Sequence, residues 1–432
     1  MFTFRSPWRG VAYLVKERLR SIGTAVILMA IILPTGVAHA EESSSAGGAE
    51  LALDRTVHRP VLARALAAGP DLLAFGPLIT PEGRNRELVL GSDLRLKTQQ
   101  ALSVGALGAT PLTRGRLAYI DNACNYTGFS TCSDIWIQQG STRTPLGLGR
   151  LGLDFHEVLR DRNGDFWALA YEPRLCWEKE EWNALCGPDT TAKTIFRDCT
   201  VLEFTPTGEV TYRWNASDHL PPSELRLAEH GHAFVGDTRD PFHCNSIELM
   251  TTDQSSFLVS ARHTDAVYAV KTSTGGVAWK LGGNDWPGHS MAVSGASENA
   301  STILDSQHDA RLWGPNTLSV FDNGTASGRA ARGLVFDLRP GARTAALRAE
   351  YEEPSGESSA CTGSFRPLEM RNERYWLAGW GCAVAGATVF TDNGKPIVST
   401  RLRQDAVARS LTNANFTTNR YSLSYRVIPL VR

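Results

Sequence analysis

Three of the ten histidines sit in settings that could carry chemistry. The first lies in Asp154-Phe-His156-Glu, ahead of the turn Asp161-Arg-Asn-Gly164-Asp and the apolar run Phe166-Trp-Ala-Leu-Ala. The second lies in Phe242-His243-Cys-Asn245-Ser-Ile, ahead of Phe257-Leu-Val-Ser260-Ala-Arg262. The third lies in Gln307-His308-Asp-Ala-Arg311, ahead of Leu318-Ser-Val-Phe321-Asp-Asn-Gly324. In each, a histidine opens one strand, a turn follows and a β-rich strand returns. Side chains at i and i+2 of a strand share a face. His243 and Asn245 are therefore expected to point together, with Cys244 opposite and available for a disulfide. Ser260 and Arg262 form a second such pair. Asp309 falls on the face away from His308 and is expected to hold the local turn.

Three histidines, one asparagine and one arginine admit several readings. Neutral imidazoles can bind zinc, but no carboxylate clearly joins them here, and an arginine beside a dication is unfavourable. The same set suits a tetrahedral oxyanion, because a guanidinium offers a planar fork and His and Asn add hydrogen bonds. A neutral imidazole is also a competent nucleophile or base. The plain alternative is that all of them merely line a turn or a channel.

The elements that must position these residues are strands. After residue 75 helical periodicity is almost absent, and short β-branched and aromatic runs are broken by Gly, Pro, Asn and Asp. A hairpin turning on glycine recurs around Gly208, Gly275, Gly341 and Gly394. A repeat of about 65 residues indicates an all-β fold, a β-propeller of about six blades. The segment Ser424-Tyr-Arg-Val-Ile is expected to close the ring by pairing in the first blade. Two stacked β-sandwiches would need a central linker, and none is visible. Val61–Ala68 reads as a short helix before the first strand. Val11–Arg20 is the other helical stretch.

Residues 1–40 read as a secretory signal peptide: a basic start, the short apolar run Gly23–Leu33, and an Ala38-His-Ala40 end. That run is short for a membrane span, which needs about twenty residues. Retention as a signal anchor is the alternative. Residues 41–50 read as a flexible leader, and 51–432 as the propeller. The chain is expected in a secreted or periplasmic setting, where disulfides persist. Eight cysteines follow, and local spacing pairs Cys124–Cys132, Cys176–Cys186 and Cys361–Cys382, leaving Cys199–Cys244. With 44 basic and 45 acidic residues among 432, the chain lacks the charge of a nucleic-acid binder. No phosphate loop, dinucleotide fingerprint or Gly-x-Ser-x-Gly elbow stands out. Trp167, Trp286, Trp313 and Trp380 could serve an aromatic pocket or simply pack. Asn125, Asn215, Asn299, Asn323 and Asn415 match the glycosylation acceptor pattern.

Trp279-Lys-Leu-Gly-Gly283, Gln307-His-Asp-Ala-Arg311 and Phe321-Asp-Asn-Gly324 together resemble the bacterial arylsulfate sulfotransferases. His243-x-Asn245-Ser-Ile, Leu258-Val-Ser-Ala-Arg262 and the ending Ser424-Tyr-Arg-Val fit the same pattern, which covers roughly residues 150–430. The resemblance implies a six-bladed propeller with its site at the channel. It implies sulfuryl transfer from a phenolic sulfate ester to a phenolic acceptor, without a nucleotide donor, cofactor or metal. It makes His308 the nucleophile, transiently a sulfohistidine. It sets His243, Asn245 and Arg262 on the sulfuryl oxygens, and His156 at the phenolic oxygen or the sulfuryl group, where it helps move a proton. The cysteine-rich stretch 176–199 lies outside that pattern. A ligand-binding propeller and an aryl sulfate hydrolase are the competing functions.

Overall fold

In a computed structural model, residues 53–76, 86–102, 106–112, 115–121, 133–178, 195–226, 238–250, 253–384, 386–402 and 423–430 are described. All belong to one unit, Gly48–Arg432. The expected leader and the helix Val11–Arg20 lie outside the described residues, as do Cys124, Cys132, Cys186, Asn125 and Asn415.

Strand β1 (Leu53–Val57) and helix α1 (Pro60–Leu66) come first. The helix starts on a proline at its first turn, where the missing N–H costs nothing. Blade 1 contains β2 (Leu72–Gly76), β3 (Arg86–Leu90) and β4 (Leu96–Ala101). Blade 2 contains β5 (Ala106–Pro111), β6 (Arg116–Asp121), β7 (Ile135–Gln139) and β8 (Thr142–Pro145). Blade 3 contains β9 (Leu153–Arg160), β10 (Phe166–Leu175), β11 (Ile195–Phe204) and β12 (Val210–Asn215), with β13 (Thr238–Arg239) added parallel to β11. Blade 4 contains β14 (Cys244–Leu249), β15 (Ser256–Ala261), β16 (Ala266–Lys271) and β17 (Val277–Gly282). Blade 5 contains β18 (Ala292–Ser294), β19 (His308–Trp313), β20 (Thr317–Asp322), β21 (Arg332–Arg339) and β22 (Thr344–Glu352). Blade 6 contains β23 (Ser364–Met370), β24 (Glu373–Gly379), β25 (Gly386–Thr391) and β26 (Pro396–Leu402), and β27 (Val427–Pro429) follows.

These strands form six antiparallel-built sheets, so the fold is an all-β six-bladed propeller. Two exchanges close the ring. Strand β27 pairs with β2 as the inner strand of blade 1, as the Ser424-Tyr-Arg-Val-Ile segment led us to expect. Strand β1 pairs with β26 at the outer edge of blade 6. The glycine-turn hairpins of the sequence are the outer pairs β11–β12, β16–β17, β21–β22 and β25–β26.

The cores lie between neighbouring blades. Trp167, Phe196, Trp214, Phe257 and Tyr268 join blades 3 and 4. Phe321, Tyr351, Phe365, Trp376 and Trp380 join blades 5 and 6. A blade is covered on both faces, which is why β16 reads as a continuous apolar run rather than an alternating one. Trp167 and Trp380 are core residues. Trp286 packs at the edge of a core and Trp313 donates to Ser319 Oγ. Asn215 and Asn323 are buried, leaving Asn299 as the exposed acceptor motif among the described residues.

Trp279-Lys-Leu-Gly-Gly283 is explained by packing. Lys280 is fully buried against Glu224, and the Tyr268 hydroxyl donates to that carboxylate at 2.8 Å. This pair ties the 222–224 turn to β17. Gly283 has φ +65°, and a side chain there would meet the Thr264 carbonyl at 2.4 Å. Removing one member of a buried pair leaves an uncompensated charge, at a cost of about 3–5 kcal/mol. Lys280→Met is therefore expected to lower stability by that amount in urea unfolding. Adding Glu224→Leu should recover most of the loss, and an unchanged midpoint in Lys280→Met would show that the pair contributes nothing.

Candidate active site

The inner strands β5, β9, β14, β19, β23 and β27 surround the channel, and successive ones touch. The three histidines lie on three of them. His156 is inside β9, His243 immediately precedes β14, and His308 opens β19. Their rings converge. The His156 centroid is 5.2 Å from that of His243 and 6.2 Å from that of His308. Tyr425, just before β27, is 5.6 Å from His156 and 5.0 Å from His308.

His308 is held at both nitrogens. Its Nδ1 donates to the Gly363 carbonyl at 2.8 Å. The lone pair must then be on Nε2, where the Tyr425 hydroxyl donates at 2.8 Å. Burial drives the His308 pKa well below its usual value, and Arg426 and His156 push the same way. It is a neutral imidazole with a defined tautomer and its lone pair toward the channel. Gly363 is required at its position: its φ is +104°, and a Cβ would meet the Phe321 ring at 2.2 Å.

The other two histidines are backed by carboxylates. His156 Nδ1 bonds Asp154 Oδ1, which also accepts the His156 backbone N–H at 2.9 Å. His243 Nδ1 donates to Asp240 Oδ2 at 2.5 Å, and its backbone N–H goes to Asp240 Oδ1 at 3.1 Å. Burial lowers the His156 pKa despite Asp154. A fourth imidazole, His263, lies 4.7 Å from His243 between ring centroids and donates from Nδ1 to the Asp240 carbonyl at 2.6 Å. Burial, then His243, bring its pKa down to about 3. Asp240, His243 and His263 place ligand-type atoms within 4.8 Å of one another. Here both imidazole Nδ1 atoms are already committed to Asp240 oxygens, and Arg262 adds positive charge beside His263.

Simple strand alternation fails at this rim. His243, Ser306 and Asp309 have φ of 49°, 59° and 53°, and the ladder shifts register after Cys244 and again after His308. Left-handed non-glycine residues are strained and persist where their surroundings over-determine them. His243 turns toward His156 in blade 3, whereas Asn245 donates from Nδ2 to the Gln307 carbonyl in blade 5 at 2.8 Å. Arg262 opens a 3-10 turn beyond β15, so the expected strand pairing with Ser260 does not hold. Its Nη1 donates to Ser306 O at 2.6 Å, and its Nη2 to Thr325 Oγ1 and Ala360 O at 3.1 Å each. Arg262 thus clamps the loops leading to His308 and to Gly363. Asp309 is more than a turn residue: Arg366 binds it at 2.7 and 2.9 Å, Arg311 at 2.8 Å and Arg426 at 3.0 Å.

Two disulfides flank the group. Cys199–Cys244 anchors the residue between His243 and Asn245, and Cys361–Cys382 anchors the stretch holding Ala360 and Gly363. Cys176 is disulfide-bonded as well. Asp154, Asp240, His263 and Gly363 were missed from the sequence as site residues. The signal for the first two was an aspartate two or three residues ahead of each histidine.

The arylsulfotransferase (ASST) family model matches residues 139–401. The chain belongs to the arylsulfotransferase family. The match runs from the end of β7 into β26 and contains all three histidines, Asn245 and Arg262. No curated protein matches the chain. Among solved structures, a protein of unknown function from Bacteroides caccae is similar at 8% identity, covering 84% of this chain and 100% of that one, with a TM-score of 0.43. TolB from Acinetobacter baumannii is similar at 11% identity, covering 84% and 67%, with a TM-score of 0.42.

His156, His263 and His308 all have folded pKa values below the usual 6.5. As the pH falls below about 6.5, the unfolded arylsulfotransferase chain binds protons that the folded one refuses, so stability falls. Each histidine can contribute up to about 1.4 kcal/mol per pH unit. The thermal midpoint is expected to drop between pH 7 and pH 5, and His263→Gln should make that drop shallower. An equal slope in the variant would contradict the assignment.

Proposed function

We propose that this arylsulfotransferase family member moves a sulfuryl group from a phenolic sulfate ester to a phenolic acceptor through His308. The observation that carries this reading is the His308 ring, fixed by Gly363 with its Nε2 lone pair facing the cluster. In the first half-reaction Nε2 attacks sulfur, the N–S bond forms and the aryl S–O bond breaks. The electron pair leaves with the phenolic oxygen. In the second, an acceptor phenol attacks the sulfohistidine, the N–S bond breaks and its pair returns to Nε2. The donor must first displace the Tyr425 hydroxyl from that nitrogen.

The charge on the sulfuryl oxygens needs prearranged donors. His243 and Asn245 can supply such donors. The Asn245 amide has a second N–H beyond the one given to Gln307. Arg262 contributes positive charge and can bind a sulfuryl oxygen by exchanging one of its carbonyl partners. His156 is placed to meet the phenolic oxygen and accept or return its proton. No nucleotide sulfate donor or cofactor enters this scheme. Export supports the reading from a different side: residues 1–40 have the pattern of a signal peptide, and disulfides flank the site. No described helix is long and apolar enough to cross a membrane.

The test uses purified protein, 4-nitrophenyl sulfate and phenol. Nitrophenolate release should rise with phenol, and His308→Ala should lower it at least about a thousandfold. Release independent of phenol would identify an aryl sulfate hydrolase. No release with a range of aryl sulfates would leave a ligand-binding propeller.

A further inference from the structure

The three histidines differ in what stands behind them. His308 is backed by a peptide carbonyl, and His156 and His243 by the carboxylates of Asp154 and Asp240. Each aspartate also accepts the backbone N–H of its own histidine, so ring and carboxylate are locked together. Both aspartates are almost wholly buried. A carbonyl accepts the Nδ1–H without bringing a full negative charge, so it chiefly orients the ring. A carboxylate adds a full opposite charge, which favours an imidazolium. Geometry therefore separates one nucleophilic histidine from two that can carry a proton.

We propose that Asp154 and Asp240 are positioning residues that divide the proton work: Asp154 makes His156 the base for the acceptor phenol, and Asp240 makes His243 a cationic donor to the sulfuryl group. This rests on the transfer reading above. As the phenolic oxygen bonds to sulfur, its proton passes to His156 Nε2, and the new charge faces Asp154. In the opposite direction the departing phenolate takes that proton back. His243 keeps its proton throughout and only donates a hydrogen bond. Two further facts agree. Burial, outweighing Asp154, keeps His156 neutral and ready to accept. Burial opposes ionisation of Asp240, yet His243, then His263 and Arg197, hold it below the usual carboxylate range, so its charge persists.

The two aspartates can be told apart with the full-length protein. In Asp154→Asn the nitrophenolate burst from 4-nitrophenyl sulfate should be retained, because that leaving group needs no proton. Transfer to phenol should fall about a hundredfold. The deficit should shrink for acceptors of lower pKa, and the acid limb of the transfer profile should move to lower pH. Asp154→Glu should restore part of the rate. Asp240→Asn should instead slow burst and transfer by one common factor, whatever the acceptor. His156→Gln should reproduce the acceptor-dependent loss, which keeps the test valid if Asp154→Asn does not fold. A deficit in Asp154→Asn and His156→Gln that is the same for every acceptor would overturn the proposal while the wild-type burst left the transfer reading intact. Absence of a burst in the wild type would remove the transfer reading and the proposal with it.

Discussion

Gly363 joins ring closure to chemistry. Its carbonyl accepts from His308 Nδ1, and its N–H donates to the Tyr425 carbonyl at 3.1 Å. The Tyr425 hydroxyl then returns to His308 Nε2. One residue at the entry to blade 6 therefore orients the imidazole of blade 5 and the residue that caps it from the end of the chain. Tyr425 arrives there because β27 pairs with β2 on one side, while Ser364 and Val427 exchange hydrogen bonds on the other. A propeller that failed to close would lose the tyrosine and the tautomer together.

Next to the histidines the inner strands carry a cluster of buried charge. Glu157, Glu248 and Asp309 meet Arg311, Arg366 and Arg426, contributed by inner strands of blades 3, 4, 5 and 6 and by the residue before β27. Arg426 also donates to the Asn245 carbonyl at 2.5 Å. Such a network is a poor source of net stability, since desolvation offsets most of the attraction. What it supplies is register. Arg311 and Arg426 each bond groups on more than one blade, and Arg366 of blade 6 bonds Asp309 of blade 5, so a shift of one inner strand would strand several buried charges. The three opposite pairs also leave the histidines next to a balanced set, with Asp309 held well below the usual carboxylate range mainly by its arginines against the effect of burial.

The architecture was legible in the sequence because outer hairpins are regular. Gly208, Gly275, Gly341 and Gly394 mark them at a spacing that only a repeating fold explains. The histidines were legible for the same reason, standing at one place in successive repeats. Their partners were not. His243, Ser306 and Asp309 take left-handed conformations that a period-two rule cannot foresee, so the shared face assigned to His243 and Asn245 dissolves into contacts with different blades. Arg262 was placed on a strand face and lies in a turn for a related reason: the chain leaves the ladder at Ala261. Arg311 is a near neighbour of Asp309 in sequence, but Arg366 and Arg426 come from more than fifty positions away, and no local pattern encodes their arrival.

The proposed division among the histidines follows from what each could gain by protonation. A nucleophile that was readily protonated would be lost at the pH where proton transfer is easiest. A proton carrier without a counter-charge would be too acidic when buried this deeply. On the proposed mechanism, a carbonyl behind His308 and carboxylates behind His156 and His243 meet both requirements within one largely buried cluster. The arrangement depends on local chain geometry more than on long-range packing, because each aspartate belongs to the same segment as the histidine it holds. The long-range contacts have a separate task, bringing the rings of His243 and His308 from two other blades to 5.2 and 6.2 Å from that of His156.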